Sequence, residues 1–211
     1  MDSKGIARIL LEKDVVKLNF KEPFRFVSGI LSPIYEDDRQ LISFPKERDV
    51  IVDSMVEKCK GLSFAYVAGV STAGIPWAAW LADRLGKPML YVRPKPKKHG
   101  RGRQVEGVLE QGKTVLVIEA MISTGGSLLG VVDAIENEGG KVRDIIIIYT
   151  HEIKGAKEKF DERNLNLYNL TEFSTVVPVA REMGRITEEE MQRILDWNQD
   201  TKGWGRRHGF E

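Results

Sequence analysis

The chain has 211 residues, 42% of them hydrophobic and 30% charged, which is enough for one well-buried core and leaves no apolar run long enough to span a bilayer. Lysine and arginine total 32 against 31 aspartates and glutamates, so the net charge of +1 points to neither nucleic acid nor an anionic membrane surface, and any basic site has to be local. The single cysteine, Cys59, has no internal disulfide partner, and Met1-Asp2-Ser3-Lys4 leads into an amphipathic helix and not a signal peptide; a reducing, cytoplasmic setting is expected.

In chain order, Ser3 is placed to cap a first helix carrying Ile6, Ile9, Leu10 and Lys13, and Val15, Val16, Leu18 and Phe20 continue an apolar pattern that fits either element type. Phe24 to Arg39 reads FRFVSGILSPIYEDDR. Ser28-Gly29 and Ser32-Pro33 punctuate it as turns, and aromatic residues are interleaved with small polar ones. The stretch fits an edge hairpin or the wall of a ligand pocket, since loops of this kind often carry function. A second helix is predicted from Phe44-Pro45, with Ile51, Val52, Met55, Val56 and Cys59 at helical spacing and an end near Gly61. Phe64 to Ala68 is the next predicted strand. It leads through Gly69-Val70-Ser71-Thr72-Ala73-Gly74 into a helix burying Ile75, Ala78, Ala79, Ala82 and Leu85, and a loop of such small residues lets backbone come close to a ligand. Met89 to Val92 follows as a third strand.

Arg93 to Gly107, RPKPKKHGRGRQVEG, sets Arg93, Lys95, Lys97, Lys98, His99, Arg101 and Arg103 among glycines and prolines, a composition that neither forms a helix nor buries itself. A mobile cationic loop over 93–107 is expected; a solvated surface loop or a nucleic-acid patch is the other reading. The neutral balance of the chain and the lack of aromatic residues among these charges stand against nucleic acid.

The chemistry concentrates in Lys113 to Gly130, KTVLVIEAMISTGGSLLG. Thr114 to Ile118 form a β-branched apolar run, expected to be a strand buried on both faces and ended by Glu119. Ser123-Thr124-Gly125-Gly126-Ser127 follows, and then Leu128, Leu129, Val131, Val132 and Ile135 recur at helical spacing. The glycines let backbone N–H groups approach an anion, the hydroxyls add donors, and the free amides and dipole of a helix start favour negative charge. A plain strand-to-helix turn is the alternative. Neither GxxxxGK[ST] nor GxGxxG is present, so a phosphate here belongs to a ligand other than a nucleoside triphosphate or dinucleotide. Glu119 is placed to accept hydrogen bonds from sugar hydroxyls beside that phosphate.

Val142 to Tyr149 and Leu165 to Asn169 read as further strands, and Thr187-x-x-Glu190 as a capping box before Met191, Ile194 and Leu195, with a Gly- and Trp-containing tail beyond. Strands alternating with helices predict an α/β fold with a mostly parallel sheet covered on both faces. Ligands sit at the carboxyl ends of such strands, where the loops at Gly69, Arg93 and Glu119 would meet. No repeat or linker divides the chain, so a single domain over 1–211 is expected.

Three of these stretches together resemble the type I phosphoribosyltransferases, and within them the orotate branch. The family's phosphoribosyl-pyrophosphate (PRPP) motif is an apolar strand, two acidic residues, two apolar residues, then Thr or Ser-Thr-Gly-Gly-Ser, and Val115 to Ser127 match it. The orotate branch adds Arg-Lys-x-x-Lys-x-His-Gly, matched by Arg93, Lys97, His99 and Gly100, and Phe-x-Leu-x-Ser-Gly-x-x-Ser-Pro-x-Tyr, matched by Phe24 to Tyr35. The resemblance implies the type I phosphoribosyltransferase fold: a mostly parallel central sheet flanked by helices, with a small N-terminal hood from about 1–42 over the C-terminal strand edge. It implies transfer of phosphoribosyl from PRPP to orotate, giving orotidine 5′-monophosphate and pyrophosphate in pyrimidine (UMP) biosynthesis. Arg93, Lys97 and His99 would then supply cations to the departing pyrophosphate, with Mg²⁺ carried by the pyrophosphate and no protein metal ligands. Glu119, Ser123, Thr124, Gly125, Gly126 and Ser127, together with Ser71, Thr72 and Ala73, would bind PRPP, and Ser28, Gly29, Tyr35 and Ser123 would bind orotate. A homodimer is implied, each basic loop completing the neighbouring site.

The chain also departs from the pattern. Ala120 stands where the second acidic residue belongs, Pro94 and Val27 replace lysines, and Ala73 stands where some members have a lysine. Tyr149-Thr150-His151-Glu152 takes the place of the Asp-Arg pair usual after the fifth strand. Transfer to another base, or PRPP binding with little catalysis, are the readings these departures leave open.

Overall fold

A computed structural model describes residues 1–26, 29–94 and 103–210. Its centre is a six-stranded sheet in the order β10 (Asn166–Glu172), β9 (Lys141–Thr150), β8 (Thr114–Ile122), β5 (Tyr66–Val70), β6 (Met89–Val92), β7 (Val105–Glu106). Every pairing is parallel except β6 with β7 at the edge. The inner strands are apolar runs because both faces are covered: Val115–Ile118 and Ile145–Ile148 are almost wholly buried. Alternate residues serve opposite faces. Leu116, Ile118, Ile146 and Ile148 pack in one cluster with helices α1 (Ser3–Glu12), α2 (Pro45–Cys59), α3 (Gly74–Leu85), α6 (Phe173–Glu182) and α7 (Glu188–Gln199). Val115, Val117, Ile145 and Ile147 pack in the other, against α4 (Gly126–Asn137) and α5 (Ala156–Asp161).

The hood is two short antiparallel pairs, β1 (Val16–Leu18) with β4 (Ile34–Glu36) and β2 (Phe24–Arg25) with β3 (Leu31–Ser32), followed by a 3-10 turn over Asp38–Ser43. Helix α1, expected within the hood, packs instead on α6 and β10, because its apolar stripe Ile6, Leu10 and Leu11 belongs to the main core. Its cap is Asp2, which accepts from Gly5 N at 2.9 Å. Ser3 lies inside the helix and its hydroxyl bonds Thr171 and Thr175.

Other boundaries moved as well. Strand β5 begins at Tyr66, two residues after the expected start, and β8 continues through Glu119 to Ile122, because its ladder to β9 persists to Ile122 opposite Thr150. The basic loop is narrower than 93–107, since Val105 and Glu106 pair with Val92 and Tyr91. Helix α6 had no counterpart in the sequence reading. Pro178 lies inside it, and its buried face is Phe173, Val176, Val177 and Ala180. The capping box forms as expected: Thr187 Oγ1 accepts from Glu190 N at 3.2 Å, and Glu190 Oε2 accepts from Thr187 N at 2.8 Å. The tail folds into α8 (Trp204–Arg207), with Trp204 fully buried. Among the described residues no helix is long and apolar enough to cross a membrane.

Candidate active site

The carboxyl ends of β5, β8 and β9 open beneath the hood onto a cavity of about 560 Å³. Glu119, Ala120 and Ser123 reach it from the end of β8, Thr72 and Ala73 from the loop after β5, and Phe26, Tyr35, Glu36 and Asp38 from the hood. Three stretches separated in sequence thus surround one space large enough for a small molecule.

Glu119 and Ala120 both line this cavity, whereas Ile118 just before them is fully buried in the core. Glu119 Oε1 accepts a hydrogen bond from Ala120 N at 2.9 Å. Burial pushes the Glu119 pKa up to about 8, a rise the Ala120 bond partly offsets and the charge of Asp38 reinforces.

The turn into α4 has the form of an anion cradle. Gly125 adopts φ +77°, a conformation glycine takes without strain, and the helix start has no side-chain cap. A Cβ on Gly126 would meet nothing within 4 Å, so packing does not demand a glycine there. Thr124, Gly126 and Ser127 are exposed, and Lys159 from α5 donates to the Thr124 carbonyl at 3.0 Å, bringing a cation beside the turn.

The loop after β5 is held differently. Ser71 N donates to Val92 O at 2.9 Å, the Ser71–Thr72 peptide is cis, and Thr72 and Ala73 face the cavity, whereas Ser71 is not among its described lining residues. The glycines flanking this loop serve packing: a Cβ on Gly69 would lie 2.8 Å from the Gly74 carbonyl oxygen, and one on Gly74 would strike the Ile118 carbonyl oxygen.

On the hood side, Tyr35 and Phe26 stand 6.4 Å apart, and Phe26 meets His151 at 6.4 Å and Trp197 edge-on at 6.3 Å. Helix α7 latches this wall, since Trp197 Nε1 donates to Leu31 O at 2.9 Å and Asn198 Nδ2 donates to His151 O at 2.7 Å. Burial drives the His151 pKa down to about 4, so it faces the cavity as a neutral ring.

Of the residues singled out from the sequence, Glu119, Ser123, Thr72, Ala73 and Tyr35 come together around the cavity. Gly29 is exposed with φ +87° and is not among the described lining residues. Arg93 is tied at the edge of the sheet, bonded through its backbone to Gln104 and 3.7 Å from Glu106. Ser28, Lys97 and His99 lie outside the described residues, as do Val27 and Gly100. The buried acids Glu36 and Asp38 were missed, because charges on a short strand and turn read as surface. Among the described residues no group of three or more His, Cys, Asp or Glu could hold a metal ion.

A family profile for the phosphoribosyl transferase domain matches residues 46–182, the span from α2 to the end of α6. The orotate phosphoribosyltransferase of Coxiella burnetii is 45% identical over 202 residues, covering 94% of this chain and 96% of that one. The chain belongs to the phosphoribosyltransferase family, in its orotate branch. The crystal structure of orotate phosphoribosyltransferase from Aeropyrum pernix is 29% identical with a TM-score of 0.72, over 86% of this chain and 99% of its own. Leishmania donovani UMP synthase, at 21% identity, shares the fold with a TM-score of 0.81; the match covers 93% of this chain, which spans only 42% of that longer one. Of the Gly-rich turn, Ser123 lines the cavity with Glu119 and the hood, whereas Thr124, Gly125, Gly126 and Ser127 are not among its described lining residues.

Proposed function

We propose that this phosphoribosyltransferase moves the phosphoribosyl group of PRPP to a ring nitrogen of orotate, forming orotidine 5′-monophosphate and releasing pyrophosphate, a step of pyrimidine (UMP) biosynthesis. The observation that carries this reading is the cavity lined together by Glu119, Ala120 and Ser123 at the end of β8, by Thr72 and Ala73 of the loop after β5, and by the aromatic wall of the hood. Each part matches a different portion of the two substrates. The turn Ser123–Ser127 takes the 5′-phosphate, with Lys159 adding positive field. Glu119 receives a ribose hydroxyl, and Ser71, Thr72 and Ala73 lie along the pyrophosphate. Tyr35 and Phe26 flank the base, with Ser28, Gly29 and Ser123 as its polar partners.

The bond between the anomeric carbon and the pyrophosphate oxygen breaks as the ring nitrogen bonds to that carbon and gives up its proton. Positive charge grows on the ribose and negative charge on the leaving group, so the site must place cations at the latter and keep water out. Arg93, Lys97 and His99 fill the first role. The basic loop between β6 and β7 does so for the neighbouring subunit of a homodimer, in keeping with Arg93 lying 3.7 Å from Glu106 at the sheet edge and not among the described residues lining its own cavity. Mg²⁺ carried by the pyrophosphate would add charge neutralisation there, with no ligand supplied by the described residues. The whole chain, 1–211, works as one domain in the cytoplasm, in keeping with its single buried Cys59.

The test is a spectrophotometric assay of orotate consumption with PRPP, with and without Mg²⁺, beside a panel of other bases. Orotate turnover that collapses in Lys97→Ala or His99→Ala while the fold is intact supports the assignment. Turnover of another base alone, or PRPP binding with no turnover, would overturn it.

A further inference from the structure

Orotate carries a carboxylate, so the acceptor proposed above is an anion, and the cavity it would enter is lined by four carboxyl side chains, those of Glu36, Asp37, Asp38 and Glu119. An anion brought into such surroundings needs a cation beside its charge. Among the described lining residues the cationic side chains are Arg25 and Arg39, both from the hood, while the buried His151 presents an uncharged ring. Arg39 is already committed: its Nε and Nη2 lie 2.6 and 3.0 Å from the Asp37 carboxylate. Arg25 is exposed, and the hydrogen bond described for it runs from Nη1 to the Gly29 carbonyl at 3.2 Å. A guanidinium has donors to spare beyond one such bond.

Its place in the hood puts this cation at the base end of the cavity. Arg25 precedes Phe26, one of the two rings proposed to flank the base, and pairs with Leu31 across the β2–β3 ladder. The turn joining these strands is closed by Gly29 N on Phe26 O at 2.8 Å and by Phe26 N on Ile30 O at 2.9 Å. The opposite strand is pinned from α7 by Trp197 Nε1 on the Leu31 carbonyl. The backbone at Arg25 is thus held, while its side chain, exposed and yet among the lining residues, stands at the mouth of the cavity. The phosphate turn has a cation of its own in Lys159, on the Thr124 carbonyl.

We infer that Arg25 recognises the carboxylate of the acceptor base, pairing with it through the guanidinium and so selecting orotate over a pyrimidine that lacks this group. The inference rests on the orotate reading above. The guanidinium N–H groups donate and the carboxylate accepts. No bond of the transfer step is altered, so Arg25 sets the choice of base and leaves the chemistry at the anomeric carbon as described. It stands outside the residues singled out from the sequence, where an arginine beside a turn reads as surface.

Product binding isolates this contact, because orotidine 5′-monophosphate and uridine 5′-monophosphate differ only by the carboxylate. Calorimetric titration of the full chain with each is expected to show the orotidine nucleotide bound more tightly by about 10-fold, the scale of a hydrogen bond between charged groups. Arg25→Gln should remove most of that difference by weakening the orotidine nucleotide alone, and Arg25→Lys should keep part of it. Added salt should narrow the difference in the unsubstituted chain. In initial-rate assays Arg25→Gln should raise the KM for orotate and leave the KM for PRPP little changed. Equal weakening of both nucleotides, which a merely structural role in the hairpin or a contact with a phosphate would give, overturns the proposal. So does an unaltered preference in Arg25→Gln, or equal affinity of the unsubstituted chain for the two nucleotides. A chain that binds neither nucleotide and turns over no orotate would instead bring down the functional reading beneath it, which keeps the two failures distinct.

Discussion

Trp197 is where the base side of the cavity should be most sensitive. The residue is fully buried, holds the hood through Nε1 to Leu31 O at 2.9 Å, and stands 5.6 Å from His151 and 6.3 Å from Phe26. Trp197→Phe keeps a ring in place but removes the donor, which costs about 1–3 kcal/mol when a buried carbonyl loses its partner. The missing ring volume adds roughly 1 kcal/mol through incomplete repacking. A total of about 2–4 kcal/mol corresponds to a fall in Tm of roughly 5–15 °C for a chain of this size. Kinetically, the KM for orotate should rise several-fold while the KM for PRPP moves little, because α7 touches the aromatic wall and the phosphate turn belongs to α4 on the opposite face. Thermal denaturation and initial rates with each substrate varied in turn check both halves. Stability within about 0.5 kcal/mol of the parent, the ordinary range for an inconsequential change, or PRPP and orotate KM values rising together, would refute the reasoning.

Gly125→Ala and Gly126→Ala should behave as opposites. The first forces a side chain into φ +77° and against the Phe160 ring, with its Cβ 2.6 Å from the nearest ring atom, and should cost about 1–3 kcal/mol of stability. The second meets no protein atom and should leave Tm nearly unchanged while raising the KM for PRPP; equal effects in both assays would contradict the cradle. Lys159→Ala should raise the KM for PRPP and reduce its dependence on salt, as loss of a cation at the Thr124 carbonyl requires, and an unaltered salt dependence would exclude that role. Glu119 titrates near 8 when folded against an ordinary 4.5, so the folded state holds its proton more tightly. Stability from this group is full below about 4.5 and is lost as pH rises to about 8, by on the order of 3–5 kcal/mol before relaxation. Denaturation at pH 5 and pH 8.5 should therefore show a flatter pH dependence in Glu119→Gln, and parallel slopes for the two proteins would disprove the shift.

The parts legible in the sequence were those in which local pattern and tertiary context agree. The β-branched run before Glu119, the Gly-Gly turn and the apolar stripe of α4 each point to the same strand-turn-helix unit, and the cap at Thr187 is a local device that needs no distant partner. Glu119 was expected to end its strand because a charge in a buried run reads as a stop. Pairing with β9 carries the strand on to Ile122, and the carboxylate is accommodated because it opens on the cavity. Helix α6 escaped notice because Pro178 breaks the expected pattern, while its burial comes from docking with α1, a partner from the far end of the chain. Glu36 and Asp38 were illegible for a related reason. Nothing in YEDDR distinguishes acids buried under a hood from acids in water, since what buries them is tertiary.

The contact of Gly74 with the Ile118 carbonyl has a bearing on how this site can change. The first residue of α3 is pressed so closely on β8 that the loop holding Thr72 and Ala73 and the strand holding Glu119 form one anvil. A shift of the one presses on the other, so the separation between the sugar and diphosphate contacts proposed above is set by backbone and not by side chains. Adaptation to a different acceptor then has to come from the hood, whose short strands are anchored from above by α7. With the contacts placed as proposed, the half of the reaction common to every acceptor is cast in the rigid part of the molecule, and the half that differs is left in the part that can be recut.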